Sequence, residues 1–233
     1  MRIDDEAYEV ELHNLYKKDP YVYKNGTLKN KLGITDYEKL RQAEADISFV
    51  KLFTIDQDVK LEEFNIEYIQ ALHKYILGDV FDWAGEFRTV QMSKPEKILG
   101  YDSVRYALPS KIESNLKNTV NKLNKVNWKS KTLDEKIPIF TEGISNLWQI
   151  HPFRDGNTRT IVAYALRFAE EKGFKLDSSL ILKSFAYMRG GFVWASQGEY
   201  SDYSYLNKIF KDAALREAAK NNNKNISNSE KTI

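Results

Sequence analysis

The 233-residue chain has no cysteine, which excludes disulfides, thiolate zinc sites and cysteine nucleophiles together. It has five prolines and three histidines, so any proton-transfer role for an imidazole narrows to three positions. An excess of either charge is missing too: 35 basic side chains stand against 33 acidic ones, for a formal charge of +2, and the aromatics are spread along the chain rather than set among lysines. That distribution lacks the electrostatic footprint of a nucleic-acid binder, and no nucleic acid is expected as a partner. No apolar run approaches the roughly 18 residues of a membrane span, and MRIDDEAYEVELHN at the start is acidic and polar where a secretory signal is basic and then apolar. The expectation is a cytoplasmic protein without membrane contact, with delivery into a host cell left open to a secretion machine that reads another signal.

What is present is helical rhythm. A short helix is expected near Asp5 to Lys18, followed by an Asn25-Gly26 turn. Thr35 and Glu38 have capping-box spacing, and Leu40, Ala43, Ile47 and Val50 follow at three- and four-residue steps, predicting a helix to about Phe53. Ile66, Ile69, Leu72 and Ile76 mark another, with His73 read as a packed or rim residue. Residues 87 to 101 break this rhythm by alternating, and Lys94-Pro95-Glu96 reads as the turn of a β-hairpin. Pro109 opens a helix, Thr132 with Glu135 caps one that runs into His151, and TIVAYALRFAEEKGF is a buried helix stopped by Gly173. Asp177 or Ser178 caps a helix through Met188, Tyr203 to Ala219 forms the last, and KNNNKNISNSEKTI has almost nothing to bury. The fold class is therefore mainly α with one β-hairpin flap. Residues 1–34 read as an N-terminal extension, 35–217 as the catalytic domain and 218–233 as a disordered tail.

The chemistry concentrates in HPFRDGNTRT, residues 151 to 160. A helix that starts near Gly156 turns its unpaired N–H groups and positive dipole end back toward the loop carrying His151 and Asp155, and such a start holds phosphate. Gly156 permits close backbone approach, Asn157 offers its amide, and Arg159 can fork onto a second phosphate. Asp155 can hold the magnesium ion that a polyphosphate brings, and His151 is the residue here able to accept a proton at neutral pH. A turn of Asp-Gly-Asn alone is commonplace, but the seven fixed positions of HPFxDGNxR arise by accident in a chain of this length with a probability on the order of one in ten million.

HPFRDGNTR at 151 to 159 resembles the signature of the Fic (Fido) family of protein-modifying transferases. DWAGEFRTVQMSK at 82 to 94 is similar to the segment leading into that family's flap, LKNKLGI at 28 to 34 to the entry of its helical core, and GEYSDYSYLNKIF at 198 to 210 to its closing helix. The resemblance implies a Fic-type helical bundle. It implies a protein adenylyltransferase that moves AMP from ATP, with Mg2+, to a Ser, Thr or Tyr hydroxyl of a target protein. His151 would be the general base, Pro152 would hold the loop and Phe153 would anchor it in the core. Arg154, Asp155, Gly156, Asn157, Thr158 and Arg159 would bind nucleotide, with Asp155 as the metal ligand. Arg88, Thr89, Val90, Gln91, Met92, Ser93 and Lys94 would form the flap that docks an extended target segment by strand pairing.

Two positions depart from the pattern usual in adenylylating members: Thr158 stands where Gly is common, and Val162 where a second Arg often follows. The inhibitory pattern Ser/Thr-x-x-x-Glu-Gly/Asn is absent, since Pro138 lies four residues before Glu142-Gly143, which implies that a lock on the enzyme is carried by a separate inhibitory, antitoxin-like protein. Thr158 is closer in volume to Gly than to the Lys of phosphate-transferring relatives, so AMP transfer is expected over phosphotransfer. The remaining alternative is a silent Fic fold used for binding. His151 is expected to lie outside the helical core, so that its loss leaves the fold intact.

Overall fold

The computed structural model describes residues 19–60 and 63–230, with the backbone alone for Asp56, Gln57 and 223–230. The helix expected near Asp5 to Lys18 lies outside the described residues. The helices are α1 (Tyr37–Asp58), α2 (Ile66–Leu77), α3 (Ile112–Lys125), α4 (Leu133–Ile150), α5 (Asn157–Glu171), α6 (Ser178–Lys183), α7 (Phe185–Trp194) and α8 (Ser204–Glu230). The fold is mainly α, as the apolar spacing implied.

Helix α4 forms because Thr132 and Glu135 close a reciprocal capping box, with the Thr132 amide donating to Glu135 Oε2 at 2.8 Å. Its Ile137, Phe140, Ile144, Leu147 and Trp148 are buried, and it packs against α3, α5 and α8. Helix α2 lies across α1, α3 and α5. Between α4, α5 and α8, the rings of Phe140, Phe168, Phe174 and Phe210 meet at centroid distances of 5.0 to 6.3 Å. Each such ring contributes about 1.5–3 kcal/mol through burial. This packing fixes the end of α4 against the start of α5, and the motif is the loop between them.

Several boundaries differ from expectation. Asp36, not Thr35, caps α1 by accepting from the Lys39 amide, and the helix continues to Asp58. The helix expected over 178–188 is broken at Ser184 into α6 and α7. Helix α8 runs to Glu230, beyond the expected end of order at 217. Its extension is tied down at Lys220, whose Nζ lies 2.8 Å from the buried Asp177 carboxylate.

The flap departs further from its reading. Residues 88 to 95 are irregular, with bends at Thr89 and Val90, and bury Arg88, Val90 and Met92 in the alternation seen in the sequence, but the reversal comes at 97–101 rather than at Lys94-Pro95-Glu96. A 3-10 turn, Lys97–Leu99, leads into Gly100 and Tyr101 at φ 65° and 72°, and the Glu96 amide closes onto Asp102 O at 2.9 Å. Among the described residues a single antiparallel bridge, Pro95 to Ser103, joins the two limbs. Side chains occupy the places a ladder would use: Ser103 Oγ takes the Lys94 amide at 2.9 Å, Gln91 Nε2 donates to Tyr106 O at 3.3 Å, and the Arg88 guanidinium reaches Ala107 O.

Candidate active site

His151 ends α4 in the left-handed region, φ 51° and ψ 60°, an uncommon conformation that histidine tolerates better than most residues. Its imidazole is 2 % exposed, stacked on Tyr106 at 4.0 Å and edge-on to Trp148 at 5.4 Å. It therefore belongs to the core, contrary to expectation, because the turn at the end of α4 directs the ring inward. Nδ1 lies 3.3 Å from Trp148 O. A carbonyl can only accept, so Nδ1 carries the proton and Nε2 presents a lone pair. That Nε2 is buried and has no hydrogen-bond partner among the described residues. Burial first, then the nearby Lys94 and Arg88 charges, hold the imidazole well below its usual range, so it is neutral at physiological pH.

The loop below is held by side-chain hydrogen bonds. Asn157 is buried at the first position of α5, where its Oδ1 accepts the Phe153 amide at 2.9 Å and its Nδ2 donates to Phe153 O at 2.8 Å. Its amide is thus committed to the loop, and what it offers a phosphate is its backbone N–H. Gly156 sits at φ 74°, and a Cβ there would lie 2.2 Å from Leu77 Cδ1, so both conformation and space require glycine. His73, read as packing, bridges the site: Nδ1 accepts the Gly85 amide at 2.8 Å and Nε2 donates to Asp155 O at 2.9 Å, with the ring stacked on Phe153 at 3.8 Å. Burial lowers its pKa to about 4, which keeps Nδ1 an acceptor.

Charges surround the loop. Asp155 accepts the Gly156 amide at 2.7 Å and faces Lys94 Nζ at 3.8 Å. Burial pushes its carboxyl up, but Lys94, Arg159 and the Gly156 amide outweigh that and hold it below the usual range. Arg154 turns away to fork onto Asp19 Oδ2 at 2.9 and 2.7 Å. Thr158 Oγ1 accepts from Trp148 Nε1 at 2.9 Å, which leaves the hydroxyl proton to donate onward. Arg159 donates to Ser48 Oγ at 2.7 Å and pairs with Glu44, both on α1.

A cleft of about 490 Å³, within the range of small-molecule sites, brings together His151, Asp155, the first residues of α5, Lys94, Glu44 and Arg189. Of the residues read as a target-docking flap, Thr89 and Ser93 face outward, Gln91 is half-buried beneath Tyr106 O, and Lys94 enters the cleft. Arg88, Val90 and Met92 face inward. Arg88 is 2 % exposed and donates to the carbonyls of His151 and Val90, each at 2.7 Å. Its place in the alternation, shared with Val90 and Met92, was the sequence signal for that burial. Glu44 and Ser48 carried no comparable signal.

Residues 63–169 match the Fic/DOC family profile. The chain is 27 % identical over 161 residues to protein adenylyltransferase VbhT of Bartonella schoenbuchensis, covering 68 % of this chain and 32 % of that protein. It is 27 % identical over 223 residues to a protein adenylyltransferase of Bartonella henselae, covering 88 % and 41 %. It thus spans less than half the length of either relative. Among solved structures, BepC of Bartonella tribocorum with bound AMPPNP superposes with a TM-score of 0.70 at 25 % identity, covering 83 % of this chain and 95 % of that one. The N-terminal Fic domain of a Bartonella quintana Bep effector with bound ADP gives 0.72 at 27 % identity, covering 87 % and 95 %.

Proposed function

We propose that this chain, whose residues 63–169 match the Fic/DOC family profile, transfers AMP from ATP to a hydroxyl side chain of a target protein. The observation that carries this reading is His151, which lines the cleft into which the N-terminus of α5 opens and whose Nε2 has no partner among the described residues. The target hydroxyl gives its proton to Nε2 as its oxygen bonds to the α-phosphorus. The bond from that phosphorus to the bridging oxygen breaks, and pyrophosphate leaves. The N–H groups at the start of α5 and the Arg159 guanidinium receive the phosphates. Bound polyphosphate would also stabilise the imidazolium that the low dielectric otherwise disfavours.

Asp155 fits a magnesium ion carried by the nucleotide, because it offers one carboxylate on the cleft wall and no group of three metal-ligating side chains surrounds it among the described residues. Such an ion would neutralise charge on the phosphates. The target segment would lie along the groove between Val90–Lys94 and the Asp19–Arg154 pair.

The test uses ATP labelled at the α- or the γ-phosphate, with a proteome as acceptor. Label from the α position alone is expected on protein. Label from the γ position, lost with His151→Ala, would make the enzyme a phosphotransferase instead. Thr158→Gly is expected to transfer faster, because the methyl group no longer crowds the phosphates. It should be less stable, by about 1–3 kcal/mol, because Trp148 Nε1 loses its acceptor.

The lock expected on another chain has a counterpart within this one. Glu44 occupies the guanidinium that the phosphates would need. In this reading Glu44→Gln binds ATP on the order of tenfold more tightly by calorimetry, the difference of one charge-assisted bond. Unchanged or weaker binding would remove Glu44 as a competitor.

A further inference from the structure

Four cations line the cleft: Arg41, Lys94, Arg159 and Arg189. Each meets a carboxylate, and three of the carboxylates lie on α1 or in the motif loop: Glu38 for Arg41 at 3.1 Å, Asp155 for Lys94 at 3.8 Å, and Glu44 for Arg159. The fourth differs. Arg189, on α7, donates to Glu96 Oε1 at 2.6 Å, and Glu96 begins the reversal of the flap. Its side chain is 12 % exposed while that of Arg189 is 48 % exposed, so the arginine has room to move and the glutamate has little. Helix α5 presents one arginine to the cleft, Arg159, because Val162, a turn beyond Thr158, is 4 % exposed in the core. Arg189 thus stands between two anions, one fixed on the flap and one that enters with a nucleotide.

We propose that Arg189 is a phosphate ligand of the nucleotide site and that Glu96 competes for it, so that nucleotide entry releases the flap reversal at 96–102 from α7. This rests on the reading of the cleft as a nucleotide site. A guanidinium forks onto a phosphate at least as well as onto a carboxylate, and the long side chain exchanges partners by rotation without backbone movement. The coupling is reciprocal: whatever weakens the Arg189 to Glu96 pair strengthens nucleotide binding, and nucleotide weakens the pair by the same factor. Nucleotide binding thereby prepares the flap for a target segment.

Calorimetry with ATP and with adenosine, on folded wild type, Arg189→Ala, Arg189→Lys and Glu96→Gln, tests this. Arg189→Ala is expected to weaken ATP binding about tenfold, with Arg189→Lys in between, and Glu96→Gln to tighten it severalfold. Adenosine, which has no phosphate, is expected to bind all four equally well. Hydrogen exchange at 96–102 should rise on ATP addition in wild type and be already raised, and insensitive to ATP, in Glu96→Gln. A Glu96→Gln variant that binds ATP no better than wild type, or an Arg189→Ala variant that binds it equally well, overturns the proposal. Wild type that binds no ATP at all would overturn the nucleotide reading itself and this inference with it.

Discussion

His151→Ala should lower transfer of AMP to protein by about 10²- to 10⁴-fold, the usual cost of losing a general base, and leave the affinity for ATP within a few-fold of wild type. In the proposed reading the phosphates would be received by the start of α5 and by Arg159, none of which depends on the imidazole. The variant should also be less stable, because the ring is enclosed between Tyr106 and Trp148, and emptying such a site costs about 3–5 kcal/mol when a Phe-sized side chain is removed. Rates therefore have to be compared at a temperature where thermal unfolding shows both proteins folded. His151→Phe separates the two effects: it keeps most of the volume and the stacking but has no lone pair, so it should recover stability without recovering transfer. A His151→Phe enzyme with wild-type turnover would show that the proton goes elsewhere.

The parts of this molecule that were legible in the sequence are those written in one dimension. The capping box of α4, the apolar spacing of α2 and the string from His151 to Arg159 are local patterns, and each is found where it was read. What failed to show is what acts across the fold. Glu44 meets Arg159 from 115 residues away and Ser48 from 111, because α1 happens to pack beside the motif. His73 reaches Asp155 O across 82 residues, and nothing in IQALHKYIL distinguishes a histidine that braces the motif loop from one that merely fills space. Asn157 shows a different limit. Its amide was correctly placed at the head of the helix, but the same side chain satisfies a loop or a ligand, and the Phe153 backbone is nearer. The flap failed for a third reason. Alternation fixes which residues share a face, but the single bridge and the shifted reversal follow from side chains, Arg88 and Ser103 above all, that take the backbone groups a ladder would have used.

Arg88→Met should then be among the most destabilising single changes outside the helices, for a reason that separates bracing from target docking. The side chain is buried and spans from the flap to the end of α4. Nε donates to His151 O at 2.7 Å, Nη1 to Val90 O at 2.7 Å and to Gln91 Oε1 at 3.0 Å, and Nη2 to Ala107 O, while the Arg88 amide donates to Pro152 O at 2.9 Å. Methionine keeps the apolar stem but ends short of the guanidinium and donates nothing, so the carbonyls of His151, Val90 and Ala107 lose a charged donor, as does that of Ile150 at 3.5 Å. Each costs about 1–3 kcal/mol if left unsatisfied, and after partial relaxation a total of about 3–5 kcal/mol is expected. For a chain of this size that lowers the unfolding midpoint by roughly 10 °C. Arg88→Lys keeps the charge but loses the fork, and should recover only part of it. Because the lost donor holds the His151 carbonyl, turnover should fall along with stability, whereas the KM for target protein should change little. A docking residue predicts the reverse: an unchanged midpoint with a raised KM for target. Measured together, the melting temperature and the KM assign Arg88 to the scaffold of His151 or to a surface that docks a target.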